Sequence, residues 1–283
     1  MTQPSFSPQP STFSLLRPLP LRWSLAAIVV LGVVLGRLVV AQLNGTLQIL
    51  LPAVAGDGAL LVTPQGHTLL IDGGEDGAAL ATWLGRHMPF GQRRIDAVVL
   101  TRTDEQTLPG QLAALKRYEV GMALVVSGEQ QSDQMTAWRR LLNERSTPTQ
   151  TLAAGQHVRV GDCAFDVLTA TDGQATLSLD CGRTMAYFLQ SIDDDTERML
   201  ARAALPPATL AVYPWARPTR NDLLERLQPQ VIVFGEGGTD ETQESFAQRR
   251  VGAAQLLHEA VHGDIRVVVD AGRAQIATAK GLR

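Results

Sequence analysis

Short apolar segments that end at Gly, Pro or Asp dominate the chain from Leu47 onwards, and they alternate with segments of helical period. Apolar runs of this length between turn residues are typical of buried strands, and apolar residues spaced three and four apart are typical of helices. The order begins with a meander that turns at Pro64–Gln65–Gly66. The predicted strands are 47–51, 59–63, 68–72, 97–101, 122–127, 157–160, 164–170, 176–181, 184–190, 209–213, 231–235, 265–270 and 275–279, and the predicted helices are 78–87, 109–117, 133–144, 196–203, 220–226 and 251–261.

The two halves of this region have a similar order, since each combines a meander with β-α units. This order predicts an α/β fold in which two mixed β-sheets pack together with helices outside. A chain of 283 residues, 45% of them apolar, is long enough to bury such a core.

Charge and cysteine content exclude several classes of protein. The formal net charge is −3, and the basic doublets Arg93–Arg94, Arg139–Arg140 and Arg249–Arg250 are scattered, so charge does not indicate a nucleic-acid surface. Two cysteines, Cys163 and Cys181, are too few for a disulfide scaffold or a Cys-rich zinc module. They fall in strands that could be neighbours. We expect buried free thiols, and a disulfide between the two cysteines is the alternative.

The first 43 residues differ in composition from the rest. Residues 1–20 are rich in Pro and Ser, which predicts a disordered leader. Residues 21–43 are mostly apolar, with Arg37 as the charge well inside the segment, and they reach the length of about 20 residues that a helix needs to cross a bilayer. We therefore expect a single-pass transmembrane anchor there and a separate domain over 44–283.

The basic residues predict the orientation of this anchor. Arg17 lies before the segment, Arg22 lies at its amino-terminal end, and the next basic residue after it is Arg86, which predicts a cytoplasmic amino terminus and a domain outside the cell membrane. A cleaved signal peptide would export the domain as well, with an apolar core over 23–35; a buried soluble helix is the third alternative.

Gly32 and Gly36 form a GxxxG pattern within the apolar segment. This spacing would let two copies of the segment pack closely as a homodimer, although glycine is common in membrane helices in general.

Four segments carry a resemblance to a known family: GDGALLVTPQGHTLLIDGG (56–74), RRIDAVVLTRTDEQTLPGQLAAL (93–115), ATLSLDCGRTMAYFLQS (175–191) and LLERLQPQVIVFGEGG (223–238). They resemble the metallo-β-lactamase fold and, among its branches, the domain of the ComEC/Rec2 DNA-uptake proteins. The resemblance implies an αββα sandwich in which the strand ends LLIDGG and DAVVLT meet beside one or two metal ions.

The metal-binding run of that family is altered in this chain. Family members have Thr-His-x-His/Asp-x-Asp-His after the second strand, and the matching positions here are Thr101, Arg102, Asp104, Gln106 and Thr107. Asp104 alone is of a ligand type. A guanidinium stays protonated and cannot bind zinc, so Arg102 would repel a dication where the family binds one.

The other ligand positions that the resemblance implies are also changed. The family's bridging carboxylate corresponds to a displaced Asp193, and Pro214 and Trp215 stand where the family has His-His-Gly. The resemblance therefore implies a degenerate site that holds no metal and no other cofactor. We expect Arg102 and Asp104 to face each other, or a neighbour such as Asp72, as a salt-bridged plug.

The expected function is non-catalytic: binding, scaffolding or regulation at the cell envelope. Kinship alone connects it with DNA uptake and nucleic acid, and the sequence does not identify a protein partner. The alternative is an active nuclease or phosphoesterase with Zn or Mn in a rearranged site built from Asp72, Asp104 and Asp193, with one histidine as a further candidate ligand. A third interpretation makes the fold purely structural, as a membrane-tethered partner domain.

Three further motifs are weaker. HEAVH, from His258 to His262, matches the zincin pattern, but no His or Glu follows it as a third ligand. Asp193, Asp194 and Asp195 precede a predicted helix and are expected to cap its positive end. GEGGTDETQE, at 235–244, predicts a mobile surface loop rather than a phosphate site, because no Lys follows it.

Overall fold

Two mixed β-sheets and their flanking helices make up the part of the chain that the structure describes. The structure is a computed structural model that describes residues 45–128, 131–235, 246 and 248–281, together with Gly32. The strands are β1 (Leu47–Leu51), β2 (Gly58–Val62), β3 (Thr68–Asp72), β4 (Arg94–Leu100), β5 (Glu119–Val126), β6 (Thr149–Leu152), β7 (His157–Val160), β8 (Cys163–Thr171), β9 (Gln174–Cys181), β10 (Thr184–Phe188), β11 (Leu210–Pro214), β12 (Val231–Gly235), β13 (Gln255–His258), β14 (Ile265–Asp270) and β15 (Arg273–Thr278).

Sheet 1 has the strand order β15-β14-β1-β2-β3-β4-β5-β6, and sheet 2 has the order β13-β12-β11-β10-β9-β8-β7. In sheet 1 the strands from β15 to β3 are antiparallel and those from β3 to β6 are parallel. Sheet 2 is parallel from β13 to β10 and antiparallel from β10 to β7. Both sheets are therefore mixed, as predicted.

Helices cover the outer faces of both sheets. They are α1 (Gly77–His87), α2 (Leu108–Arg117), α3 (Asp133–Glu144), α4 (Asp194–Arg202), α5 (Asp222–Leu227) and α6 (Glu259–His262). Trp83 of α1 and Trp138 of α3 are buried against sheet 1, while Leu200 of α4 and Leu223 of α5 pack with Tyr213 on sheet 2. The face between the sheets is filled by aliphatic residues and by Phe165 and Phe188. This arrangement is the αββα sandwich expected from the sequence.

The strand directions give the sandwich two distinct edges. At the carboxyl edge β3, β4, β10, β11, β12 and β13 end, and Ala175 N donates to Thr101 O across the sheets at 2.8 Å. At the opposite, amino edge β1, β3 and β4 begin. Polar side chains that follow β3 and β4 are thereby brought to one edge.

The predicted elements agree with the structure except near two segments. β6 was not predicted, because TQTL is polar and three of its four residues are exposed. The predicted helix over 251–261 is wrong: Gln255–His258 form strand β13, which pairs in parallel with β12, and only Glu259–His262 are helical. Here the ladder to a neighbouring strand outweighs a helical spacing of Leu256, Leu257 and Val261.

A disulfide joins Cys163, at the start of β8, to Cys181, at the end of β9. The prediction that favoured two free thiols is therefore wrong. The register explains the pairing, because Ala164 lies opposite Asp180 and the two cysteines are the next pair along the ladder, with Cα atoms 4.3 Å apart.

Among the described residues, no helix is long and apolar enough to cross a membrane. Apart from Gly32, the residues of the predicted leader and of the apolar segment, including Gly36, lie outside those that the structure describes, and so does nearly all of the loop predicted at 235–244.

Candidate functional site

The candidate site is built on a close backbone contact at the end of β3. Asp72 adopts a positive φ of 52°, and Gly73 and Gly74 follow it. The amide of Gly110, in the first turn of α2, donates to Gly74 O at 3.1 Å. A β-carbon at Gly110 would lie 1.7 Å from Gly73 O, so only glycine fits there. This contact fixes the start of α2 against the strand end and positions the loop between β4 and α2.

Asp72 is fully buried and is held by Thr101, the first residue after β4. Thr101 N donates to Asp72 Oδ1 at 2.8 Å, and Thr101 Oγ1 lies 2.5 Å from Oδ2. Burial raises the pKa of Asp72 to about 7, and the two hydrogen bonds from Thr101 and the charge of Arg102 oppose that rise. Both carboxylate oxygens are thus used inside the protein.

Arg102 lies at the centre of the loop and is bound by two carboxylates. Its Nε donates to Asp104 Oδ2 at 2.9 Å, and its Nη2 lies 2.7 Å from the same oxygen. Its Nη1 lies 3.6 Å from Asp57 Oδ2. Nη2 also donates to Gln106 Oε1. The Arg102 side chain is 14% exposed and that of Asp57 is 4% exposed, so this ion cluster is largely shielded from water.

The predicted ion pair between Arg102 and Asp104 is present. Asp72, the other predicted neighbour, is held by Thr101, although the charge of Arg102 still acts on it. Sequence reasoning missed Asp57 as a partner. It lies in the loop between β1 and β2, and the signal for it was an acid flanked by Gly56 and Gly58 in an otherwise apolar region.

Asp57 connects the two sheets at the carboxyl edge. A β-carbon at Gly235, the last residue of β12, would lie 2.3 Å from Asp57 Oδ1, so the carboxylate rests directly on the end of sheet 2. Arg102 itself forms a β-bridge with Gln174 of sheet 2. The guanidinium therefore lies where the ends of the two sheets approach each other.

Gln106 and Thr107 stabilise the loop that carries Arg102. Gln106 N donates to Asp104 Oδ1 at 3.1 Å. Thr107 Oγ1 donates to Arg102 O at 2.8 Å and is fully buried. The side chains of both residues are thus occupied with Arg102, the first through its guanidinium and the second through its backbone.

The fold implies a metal ion at this edge, and the donors that are present do not fit one. Among the described residues, no group of three or more His, Cys, Asp or Glu side chains could hold a metal ion. Asp57 and Asp104 already neutralise a guanidinium, and Asp72 is occupied by Thr101. A metal ligand must be deprotonated and free to turn towards the ion, and these side chains are committed elsewhere.

Asp193 caps a helix. Its Oδ1 accepts from Thr196 N at 2.7 Å at the start of α4, and this interaction lowers the pKa of Asp193. The next acids of the run bind arginines: Arg217 Nη2 contacts Asp194 Oδ1, and Arg198 contacts Asp195. The side chain of Asp193 is thereby directed to α4, as the capping interpretation expected.

Pro214 ends β11, and Trp215 packs on the end of sheet 2. The Trp215 ring meets Phe234 at 5.0 Å and His258 at 4.8 Å, both edge to face. Arg249 stacks over the other side, with its guanidinium carbon 3.6 Å from the ring centroid. Where the family resemblance places histidines, this chain has an aromatic cluster.

The two histidines of HEAVH do not share a helix face. His258 is the last residue of β13, and its Nδ1 accepts from Ala260 N at 3.1 Å as the cap of α6. His262 Nδ1 lies 3.1 Å from both His258 N and His258 O. One ring nitrogen of each histidine is therefore engaged by the backbone, which is unlike the zincin arrangement.

A cleft of about 570 Å³ opens beside the ion cluster. It is lined by the loop between β1 and β2, by Gln106, and by polar residues near strand ends of both sheets; these are Glu75, His258, Glu259 and Lys280. Its volume is within the range of small-molecule sites, about 300–1,000 Å³. Gln106 lines the cleft and also accepts a hydrogen bond from Arg102, so it connects the cleft with the Arg102 cluster.

Comparisons with known proteins bear on the fold alone. No protein-family model and no curated protein matches the sequence. Among solved structures, the metallo-β-lactamase fold protein YhfI from Bacillus subtilis is similar to this chain, with 12% identity and a TM-score of 0.52 over 75% of this chain and 96% of that protein. A protein described as a metal-dependent hydrolase from Parabacteroides distasonis is similar over 75% and 93%, with 10% identity and a TM-score of 0.50. The chain therefore has the metallo-β-lactamase fold.

Proposed function

We propose that this chain is a non-catalytic, ComEC-like relative of the metal-dependent hydrolases, in which an arginine takes the place of the metal and the domain acts by binding. The observation that carries the proposal is the position of the Arg102 guanidinium between Asp57 and Asp104 at the carboxyl edge. In this proposal the ligand positions that the resemblance identifies have changed because the Arg102 guanidinium has replaced the metal ion.

Electrostatics supports this replacement. A dication about 4 Å from a guanidinium would be repelled by about 8 kcal/mol at an effective dielectric constant of about 20. The two carboxylates, which would otherwise attract an ion, are already neutralised in part by Arg102. The Arg102 guanidinium, which is part of the protein, thus competes with a metal ion for the two carboxylates.

The cleft beside Gln106 supports a binding role. It is open to solvent, and it contains charged side chains of both signs, Glu75 and Lys280. The Arg102 cluster holds one wall of the cleft in place through Gln106. In this proposal the former metal site serves as a rigid support, and recognition takes place in the cleft or on the adjoining surface.

The place of action that we propose is the outer side of a cell membrane. The apolar residues 21–43 are the proposed anchor, and Gly32 and Gly36 would allow two copies to associate. The disulfide between Cys163 and Cys181 supports export, because disulfides persist in oxidising compartments. Nucleic acid as a ligand rests on kinship with the ComEC/Rec2 branch alone.

The test combines metal content with activity. The purified full chain is dialysed against Zn²⁺ or Mn²⁺, its bound metal is measured by mass spectrometry, and hydrolysis of single-stranded DNA and of bis-p-nitrophenyl phosphate is followed. We expect much less than one metal per chain, no turnover, and no change in melting temperature with EDTA.

Stoichiometric metal together with turnover that Asp104→Ala abolishes would instead favour the active hydrolase. Glu105→Ala is the matched control, since Glu105 is the exposed neighbour of Asp104. Turnover that survives in Asp104→Ala would come from a contaminant or from another site, and it would leave the assignment of Arg102 intact.

A further inference from the structure

Phe90 is fully exposed at the tip of the turn between α1 and β4. Its relative exposure is 106%, while the aromatic residues Trp83, Trp138 and Phe165 are buried. The turn lies at the amino edge, because β4 begins directly after it at Arg94. A single exposed apolar residue is ordinary, so its meaning depends on how it is held and on what surrounds it.

The turn holds Phe90 outwards rigidly. Gln92 N donates to Pro89 O at 3.0 Å, and Gly91 has the positive φ of 78° that a type II turn requires at its third position. The Gln92 side chain donates to Thr68 Oγ1 at 2.9 Å and to Arg94 O at 3.0 Å, which ties the turn to sheet 1. Three hydrogen bonds of Gln92 thus hold the turn that carries the exposed ring.

Basic side chains surround this turn and form what we name the basic patch: Arg86, Arg93, Arg94, Lys116 and Arg117, all of them exposed. Glu119 N donates to Arg93 O at 3.0 Å, which places the end of α2 beside the turn. Residues 86–96 and 116–119, which carry the patch, contain the acids Asp96 and Glu119 against five Arg and Lys side chains, so positive charge is in excess within these segments. Exposed acids such as Glu75, Glu105 and Asp195 lie at the carboxyl edge, at the other end of the strands from the basic patch.

The chain reaches sheet 1 at this same edge. β1 begins at Leu47 and runs in the direction of β3 and β4, since it is antiparallel to β2, which is antiparallel to β3. Only three residues separate Leu47 from the apolar segment 21–43. If that segment spans a bilayer, as proposed above, β1 begins at the amino edge only three residues along the chain from the membrane-spanning segment.

We propose that the Phe90 turn and the basic patch form a membrane-docking surface, in which the aromatic ring inserts among the headgroups of anionic phospholipids. Aromatic residues favour the interface of a bilayer, and nearby Lys and Arg side chains are attracted to anionic lipid. Docking at the amino edge directs the carboxyl edge, with the Arg102 cluster and its cleft, away from the membrane.

The test uses the full chain in lipid vesicles, with an environment-sensitive fluorophore at position 90 in Phe90→Cys. The native cysteines are joined in a disulfide, so the new thiol is the one that reacts, and labelling of the wild type checks this. We expect a blue shift and quenching by brominated acyl chains in phosphatidylcholine vesicles that contain phosphatidylglycerol. The matched control is the same label at Asp195→Cys, at the carboxyl edge, which should report water.

Charge reversal provides the second arm. Arg93→Glu with Arg94→Glu should return the emission of the label at position 90 towards that of water, while Arg139→Glu with Arg140→Glu, on α3, should leave it blue-shifted. A label at position 90 that stays in water with anionic vesicles, or that responds to DNA instead of vesicles, would overturn the proposal.

Flotation of the chain with vesicles in high salt reports on the anchor separately. Flotation with an aqueous label at position 90 would refute docking and keep the anchor. A lipid-exposed label at low salt without flotation at high salt would keep docking and refute the anchor.

Discussion

Thr101 satisfies both carboxylate oxygens of Asp72, one with its backbone amide at 2.8 Å and the other with its hydroxyl at 2.5 Å. Asp72 ends β3 and Thr101 directly follows β4, its parallel neighbour, so this pair locks the ends of β3 and β4 together at the base of the candidate site. Arg102 follows directly after Thr101, which means that the geometry of the ion cluster depends on this buried acid.

The stability of the protein should depend on the ionisation of Asp72. The pKa of Asp72 is about 7 in the folded protein, and an unfolded Asp ionises near pH 3.9. Between these values the folded state holds one more proton than the unfolded state, so the free energy of unfolding falls as pH rises from about 4 to about 7 and then levels off. Urea unfolding across this range measures the slope.

Asp72→Asn should remove this slope. Asn keeps an acceptor oxygen for Thr101 N, its Nδ2 can donate to Thr101 Oγ1 in place of the present hydrogen bond, and it tolerates the positive φ at position 72. Glu105→Gln, at an exposed neighbouring position, should unfold with the same pH dependence as the wild type. An equal slope in the wild type and in Asp72→Asn would show that Asp72 does not titrate in this range.

Loss of the Arg102 guanidinium should destabilise the fold. In Arg102→Met the buried Asp57 and the partly buried Asp104 lose their counter-charge, and breaking such a pair costs about 3 kcal/mol. Chemical denaturation measures the change in the free energy of unfolding. Adding Asp57→Asn and Asp104→Asn to Arg102→Met should restore much of it, because no uncompensated carboxylate then remains.

Arg140→Met is the matched surface control. Its pair with Glu144 is largely exposed, and removing a pair of that kind changes stability by less than about 1 kcal/mol. Equal losses in Arg102→Met and Arg140→Met would show that the Arg102 cluster contributes no more than an ordinary surface pair.

A methyl group at position 110 should disrupt the base of the site. Gly110→Ala places a carbon 1.7 Å from Gly73 O, so the start of α2 must move away from β3, and we expect a lower melting temperature and a low soluble yield. Gly85→Ala, within α1, is the matched control. Its nearest contact is the flexible end of Arg117 at 3.2 Å, and the change should stabilise the helix by up to about 1 kcal/mol. A folded Gly110→Ala chain with an unchanged melting temperature would contradict the close contact.

Reduction of the disulfide should lower the thermal stability. The bond between Cys163 and Cys181 closes a segment with a sequence separation of 18, for which chain entropy predicts about 3 kcal/mol. A reductant should lower the melting temperature of the wild type and leave that of Cys163→Ala with Cys181→Ala unchanged. Equal melting temperatures for the oxidised and reduced wild type would show that the ladder between β8 and β9 needs no covalent link.

The strands and most helices follow from local sequence, since segments such as Leu47–Leu51 and Val231–Gly235 are short, apolar and bounded by turn residues. The failures are segments in which a partner decides the structure. β6 is polar and exists because it pairs with β5, and Gln255–His258 are extended because they pair with β12. Neither partner is visible in a local pattern.

The sequence predicted only part of the candidate site, because the other part also depends on residues that are distant along the chain. Arg102 and Asp104 are two residues apart, so their pairing follows from the sequence around one strand end. Asp57 is 45 positions before Arg102 and reaches it through the order of the strands in sheet 1. The role of Asp193 as a helix cap depends on its distance to Thr196 N, and three acids in a row do not specify which of them is the cap.

The Arg102 guanidinium has a consequence for where such a domain can work. A bound metal ion can be lost to a chelator or exchanged for another ion, and an exported enzyme depends on the supply of that ion in its surroundings. A cation that is part of the polypeptide is made with every copy and cannot be withdrawn. The domain should therefore keep the same form in metal-poor and metal-rich media alike.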